Sequence, residues 1–394
     1  MRNLWILFFL IFFIACNEVQ VKDEKETVKL IQEEKKVSQA VVEEKKPENI
    51  ALVEPLALEK PVVLEKIAIE EKVLAVVEEK KPVEEKALPE VTICLCWRIQ
   101  SQFAGFYVAL EKGFYTEEGL KVTLKPGGPE VRPFQEISEK RAHFGIGQAQ
   151  EVLIARDKGI PIQCVANNFQ TGALRLVSQK SLGITEPGDL RSKTISLWFG
   201  GYEYQCLGLL EKYGISQDEV NLVKQGWEMD DFCEGKVDIA SVMVYNELNT
   251  LYERGVKDID ILNYADYGIN FPEDAIFALE EYLQKNPDIV SKVLRASYKG
   301  WKHAMENPQE ALEIILKYAE NPNKEHEKSM LREVFPLMIN KHTKEHGLGY
   351  IYLPDWSGMA KILFQQKLLK EIPDLKKVIQ PQFIEKLKIF PPER

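Results

Sequence analysis

The sequence predicts an α/β protein of two lobes, each a mostly parallel sheet covered by helices, behind an export segment and a polar tether. Three observations predict it. Composition changes abruptly near Val91, where aromatic residues and glycines begin. From there, short apolar runs alternate with helical stretches, the pattern of strand–helix–strand units. The alternation pauses in the turn-rich GITEPGDL (183–190) and then starts again, so the chain divides between two sheets.

The N-terminus reads as a processing signal. Arg2 precedes an apolar run, 4–15, that ends at Cys16. The run is too short to span a bilayer comfortably and suits the hydrophobic part of a secretory signal. Phe13-Ile14-Ala15-Cys16 resembles a bacterial lipobox with Phe13 in place of the usual leucine. That likeness implies cleavage before Cys16, lipidation of its thiol and a place in the cell envelope, anchored to a membrane. A plain signal peptide and an uncleaved anchor are the alternatives. Residues 17–90 are rich in Glu, Lys, Val, Ala, Leu and Pro, and VVEEKKP occurs twice. Pro47, Pro55, Pro61, Pro82 and Pro89 break both continuous helix and heptads, so a semi-extended tether is expected.

The remaining chain gives the elements in order. VTICLCW (91–97) reads as a strand and 104–112 as a helix. KVTLKPGG (121–128) is a strand closed by a glycine turn, and 133–141 a helix. AHFGIG (142–147), a helix over 149–158 and IQCVANNF (162–169) complete the first block. The second block runs TISLWFGG (194–201), a helix over 202–213, VNLVKQG (220–226), a short helix over 229–235, VDIASVMVY (237–245) and a helix over 246–255. KDIDILNYADYGI (257–269) leads the chain out. From Pro272 onward EDAIFALEEYLQ (273–284) and three later stretches read as helices. The layout gives 91–188 and 268–394 to the first lobe, 189–267 to the second, and a ligand cleft between them.

The formal net charge of -10 argues against a general nucleic-acid binder. With Cys16 set aside, Cys94, Cys96, Cys164, Cys206 and Cys233 form neither a disulfide framework nor a zinc pattern. His342 and His346 are four apart, but no third ligand is near in sequence, and no nucleophile signature stands out. Binding without catalysis, metal or cofactor is therefore expected.

Candidate binding residues sit where strands end, the face at which open α/β sheets take ligands. Trp97 and Gln102 follow the first strand, Gln148 the third and Asn168 the fourth. WFGGYEYQ supplies Trp198, Tyr202 and Glu203 at a helix start; Trp227 follows the next strand and Tyr245 the one after it. Aromatic planes beside side-chain amides suit a flat, polar, nitrogen-containing ring. Each residue also has a plainer role open to it: packing for the tryptophans, capping or turn bonding for Gln148 and Asn168, and the helix dipole for Glu203.

QFAGFYVALEKGFYTEEGLKV, AHFGIGQAQEVLIARDKGIPI and ITEPGDLRSKTISLWFGG, in that order, resemble the substrate-binding proteins of ABC importers. The nearest group is the binders of thiamine pyrimidine precursors and of riboflavin; sulfonate and nitrate binders are more distant. The resemblance covers roughly 91–370. It implies a type II periplasmic-binding-protein fold that closes on its ligand by hinge motion. It also implies a small aromatic vitamin or precursor as ligand, an ABC permease of the inner membrane as partner and a monomeric state. The same superfamily holds pyrimidine synthases that use pyridoxal phosphate and iron. Their cysteine cluster is not matched here, since QGWEMDDFCEGKVD has Cys233 alone. A surface lipoprotein without a transport role is a third possibility.

Overall fold

The structure is a computed structural model and describes residues 87–393; Cys16 and residues 17–86 of the expected tether lie outside them. Two five-stranded sheets organise the chain. The first has β1 (Glu90–Cys94), β2 (Lys121–Lys125), β3 (Phe144–Gly147), β4 (Ile162–Phe169) and β10 (Glu273–Leu279), in the order β2-β1-β3-β10-β4. The second has β5 (Leu174–Gln179), β6 (Thr194–Leu197), β7 (Asn221–Lys224), β8 (Ile239–Met243) and β9 (Ile259–Asn263), in the order β7-β6-β8-β5-β9. The two orders are the same arrangement used twice. In each sheet all strands run one way except one: β10 is antiparallel to β3 and β4, and β5 to β8 and β9.

Those two strands correct the sequence reading. EDAIFAL reads as helix because Ala, Leu and Glu favour helices and the run has no alternation. Here it is β10, buried along nearly its whole length between β3 and β4. A strand covered on both faces has no polar side to alternate with. LRLVSQ carries no strand signal of its own in the sequence reading, and it is β5. The chain is thus already in the second sheet at Leu174, ahead of the turn-rich stretch that suggested the boundary. β4 ends at Phe169, and only Gln170–Ala173 separate it from β5. So short a link does not allow a return, so the strand entering the second sheet runs opposite to its neighbours. β10 repeats this after β9.

The two crossings are stitched together. Asn270 Oδ1 accepts from the Gly172 N–H (3.0 Å), and its Nδ2 donates to the Gln170 carbonyl (2.9 Å). Glu273 Oε1 accepts from the N–H groups of Ala173 (2.8 Å) and Leu174 (3.4 Å). A Cβ on Gly172 would lie 2.8 Å from the Phe271 carbonyl oxygen, so the strands approach as closely as glycine allows.

The C-terminal helices cover the first sheet. Pro287–Glu306 begins with a proline in its first turn and buries Val290, Val293, Leu294, Ser297, Trp301 and Ala304, a stripe of helical spacing. That stripe packs on Ala104–Glu111, the helix after β1, and Ser297 Oγ lies 2.9 Å from Tyr115 Oη. Lys324–Met338 holds the turn after β1, where Glu327 Oε2 accepts from the Ser101 N–H at 2.7 Å. Among the described residues, no helix is long and apolar enough to cross a membrane.

Candidate functional site

The carboxyl ends of β1, β3, β6, β7 and β8 face one cavity. Cys96, Trp97, Gln100 and Gln102 reach it from the turn after β1, and Gln148 from the turn after β3. Trp198 and Tyr202 follow β6, Trp227 follows β7, and Met243, Tyr245, Asn246 and Glu247 come from the end of β8 and just beyond. Both sheets therefore contribute to its walls.

Three tryptophans dominate it. Trp198 is buried, and its Nε1 donates to the Gly226 carbonyl at 3.0 Å, which holds the ring in place. Trp227 lies against it at 6.4 Å with planes 23° apart, yet remains 59% exposed. From the opposite lobe Trp97 meets Trp227 at 4.9 Å, tilted by 45°. The aromatic walls thus touch across the cleft. Other bonds join the same two lobes: Gln150 Nε2 donates to the Gly201 carbonyl (3.3 Å), and the His326 ring faces Asn246 Oδ1 (2.9 Å) and Glu253 Oε1 (3.0 Å).

The polar floor is ordered from below. Gln102 Nε2 donates to both oxygens of Asp274 (2.9 and 3.2 Å), and Gln102 Oε1 accepts from Gln100 Nε2 at 2.7 Å. A buried carboxyl therefore sets which way two cavity amides point. Burial, reinforced by the adjoining Glu273 carboxylate, pushes the Asp274 carboxyl up to about 8. Burial likewise pushes Glu273 up to about 7, against the N–H groups it accepts from and nearby Arg175. Asp274 also sits at φ +50°, in the left-handed region. Gln148 Oε1 is buried with no hydrogen-bond partner among the described residues, an acceptor left at the cavity edge. The Cys96 thiol is held well above its ordinary value by burial, then by Asp274 and Glu151, so it stays protonated and a poor nucleophile.

Seven of the expected binding residues come together here: Trp97, Gln102, Gln148, Trp198, Tyr202, Trp227 and Tyr245. Two do not. Asn168 lies under the first sheet, where its Oδ1 accepts from Tyr298 Oη at 2.7 Å. Its place at a strand end is real, but its side chain serves a helix 130 residues away. Glu203 turns back on its own loop, and its carboxylate accepts from the N–H groups of Gly200 (3.2 Å) and Gly201 (2.7 Å). It takes up the N–H donors of its own loop and shapes the loop that carries Trp198 and Tyr202. Sequence reasoning missed Asp274 because its strand read as helix.

A mixed sheet pair whose strand ends meet at a cleft walled by both lobes is the periplasmic-binding-protein fold. The chain belongs to the NMT1/THI5-like family, whose model matches residues 100–311, more than half of the chain. The riboflavin-binding protein RibY of Chloroflexus aurantiacus is 26% identical over 77% of this chain and 88% of its own length. A formylaminopyrimidine-binding protein of Halalkalibacterium halodurans is 24% identical over 70% of this chain and 84% of its own. In fold, the chain is similar to the periplasmic sulfonate-binding protein SsuA of Methylobacillus flagellatus, with a TM-score of 0.60, 17% identity, and coverage of 76% of this chain and 94% of that one.

Proposed function

We propose that this protein captures a planar, nitrogen-containing aromatic heterocycle outside the cytoplasm, a thiamine pyrimidine precursor or riboflavin, and delivers it to an ABC permease of the inner membrane. The observation that carries the reading is the convergence of Trp97, Trp198 and Trp227 from both lobes on one cavity with amides at its edge. Stacking supplies affinity for a flat ring, and the amides select its polar edge. Two relatives whose names state riboflavin and formylaminopyrimidine binding support this ligand class. The protein acts by binding alone. Two relatives named as binding proteins support that reading.

The test is a fluorescence titration of the purified protein with formylaminopyrimidine, hydroxymethylpyrimidine, riboflavin and an aliphatic sulfonate. One of the heterocycles should quench tryptophan emission saturably and be recovered unchanged, and the sulfonate should not compete. Binding of the sulfonate alone, or release of a chemically altered heterocycle, would overturn the reading.

The same reading includes a lipid anchor at Cys16, with the segment up to about residue 90 as a tether that holds the two lobes off the membrane. Metabolic labelling with a palmitate analogue should mark the wild type and leave Cys16→Ser unmarked; equal labelling of both would remove the anchor.

A further inference from the structure

The aromatic cavity opens into a second chamber, which shares Cys96, Trp97, Gln148, Trp198, Tyr202 and Trp227 with it. The new feature of this chamber is charge. Arg132 enters from the first lobe, just before the short helix Pro133–Ser138, and Lys224 from the second, at the carboxyl end of β7. Neither cation has an ion-pair partner among the described residues, although the chain carries 61 acidic against 51 basic side chains. Arg141, Lys125 and Arg191, by contrast, are paired with carboxylates.

We propose that the ligand is a heterocycle bearing an anionic tail, a phosphate ester being the form tested, with the ring among the tryptophans and the tail between Arg132 and Lys224. This rests on the heterocycle reading above and deepens it. Two like charges from different lobes at one chamber favour an anion placed between them. An anion held by both bridges the two lobes. Arg132 presents a planar fork suited to phosphate oxygens, and Lys224 adds a point charge. The chamber's one carboxyl, Glu151, does not cancel the pair. Burial pushes it up to about 7, against the opposing pull of Arg132, which weakens its charge near neutral pH.

The experiment compares riboflavin with flavin mononucleotide, and hydroxymethylpyrimidine with its phosphate, against wild type, Arg132→Gln, Lys224→Gln and the double variant at low and high salt. Both cations are exposed, so the substitutions leave the core untouched. In the wild type at low salt, the phosphorylated member of the bound pair should bind about tenfold more tightly than its alcohol, as expected for charge-assisted contacts. That ratio should shrink with salt, fall in each single variant and approach one in the double variant. A ratio of one or less in the wild type, or one that survives in the double variant, overturns the proposal while leaving the heterocycle reading intact. Failure of every member of both pairs to bind folded protein overturns both.

Discussion

Replacing Gly300 with alanine should lower the melting temperature by roughly 2–5 °C, although helix propensity by itself favours alanine by about 1 kcal/mol. A Cβ at this position would sit 2.1 Å from the Gly105 carbonyl oxygen and under 3 Å from both Ala109 Cβ and Ala109 N. These are backbone atoms or next to them, so no flexible side chain can yield. Gly105 is the matching position: a Cβ there would lie 2.1 Å from the Trp301 ring. The helices Ala104–Glu111 and Pro287–Glu306 therefore touch backbone to backbone, and an added methyl must force them apart along a fully buried seam. Overpacking of this kind typically costs about 1–3 kcal/mol and sometimes more, which outweighs the propensity gain. Gly358 supplies the control. It lies exposed on Leu353–Gln365, and a Cβ there meets nothing within 4 Å. Gly358→Ala should hold or raise the melting temperature. If Gly300→Ala stabilised as much as Gly358→Ala, the close seam would be wrong.

Trp97→Ala should weaken binding of the preferred heterocycle by tenfold or more. A stacked aromatic contact contributes about 0.5–1.5 kcal/mol beyond its buried area. Loss of the area itself adds roughly 25 cal/mol per Å² of apolar surface no longer covered. Their sum passes the ~1.4 kcal/mol that a factor of ten requires. Trp227→Ala should weaken binding to a similar degree and leave the melting temperature of the free protein nearly unchanged, because that ring is 59% exposed. Trp198→Ala should lose stability as well as affinity, since its ring is buried and bonded to Gly226. Calorimetric titration paired with a thermal melt separates the three. Undiminished affinity in both Trp97→Ala and Trp227→Ala would remove the stacking model. Glu203→Ala should act through the loop it holds, so Glu203→Gln, which keeps one acceptor for Gly201, should be the milder change.

The sequence by itself determined the repeated strand–helix blocks, and with them two sheets whose strand ends face one cavity. Local patterning suffices for that, because each half-buried strand or amphipathic helix announces its own buried side. It also determined which aromatic residues stand at strand ends, and for Trp97, Trp198, Trp227 and Tyr245 strand position was enough to bring them together. Only the tertiary structure decided what depends on distant partners. β5 and β10 are antiparallel because the crossings are short, a fact of chain geometry that no periodicity records. Asn168 bonds Tyr298, and Gln102 bonds Asp274, across 130 and 172 residues. Whether an amide faces a ligand or a helix is settled by which unmet hydrogen bond lies nearest in space. Arg132 and Lys224 carry no motif, and only folding brings them, from different sheets, to one chamber.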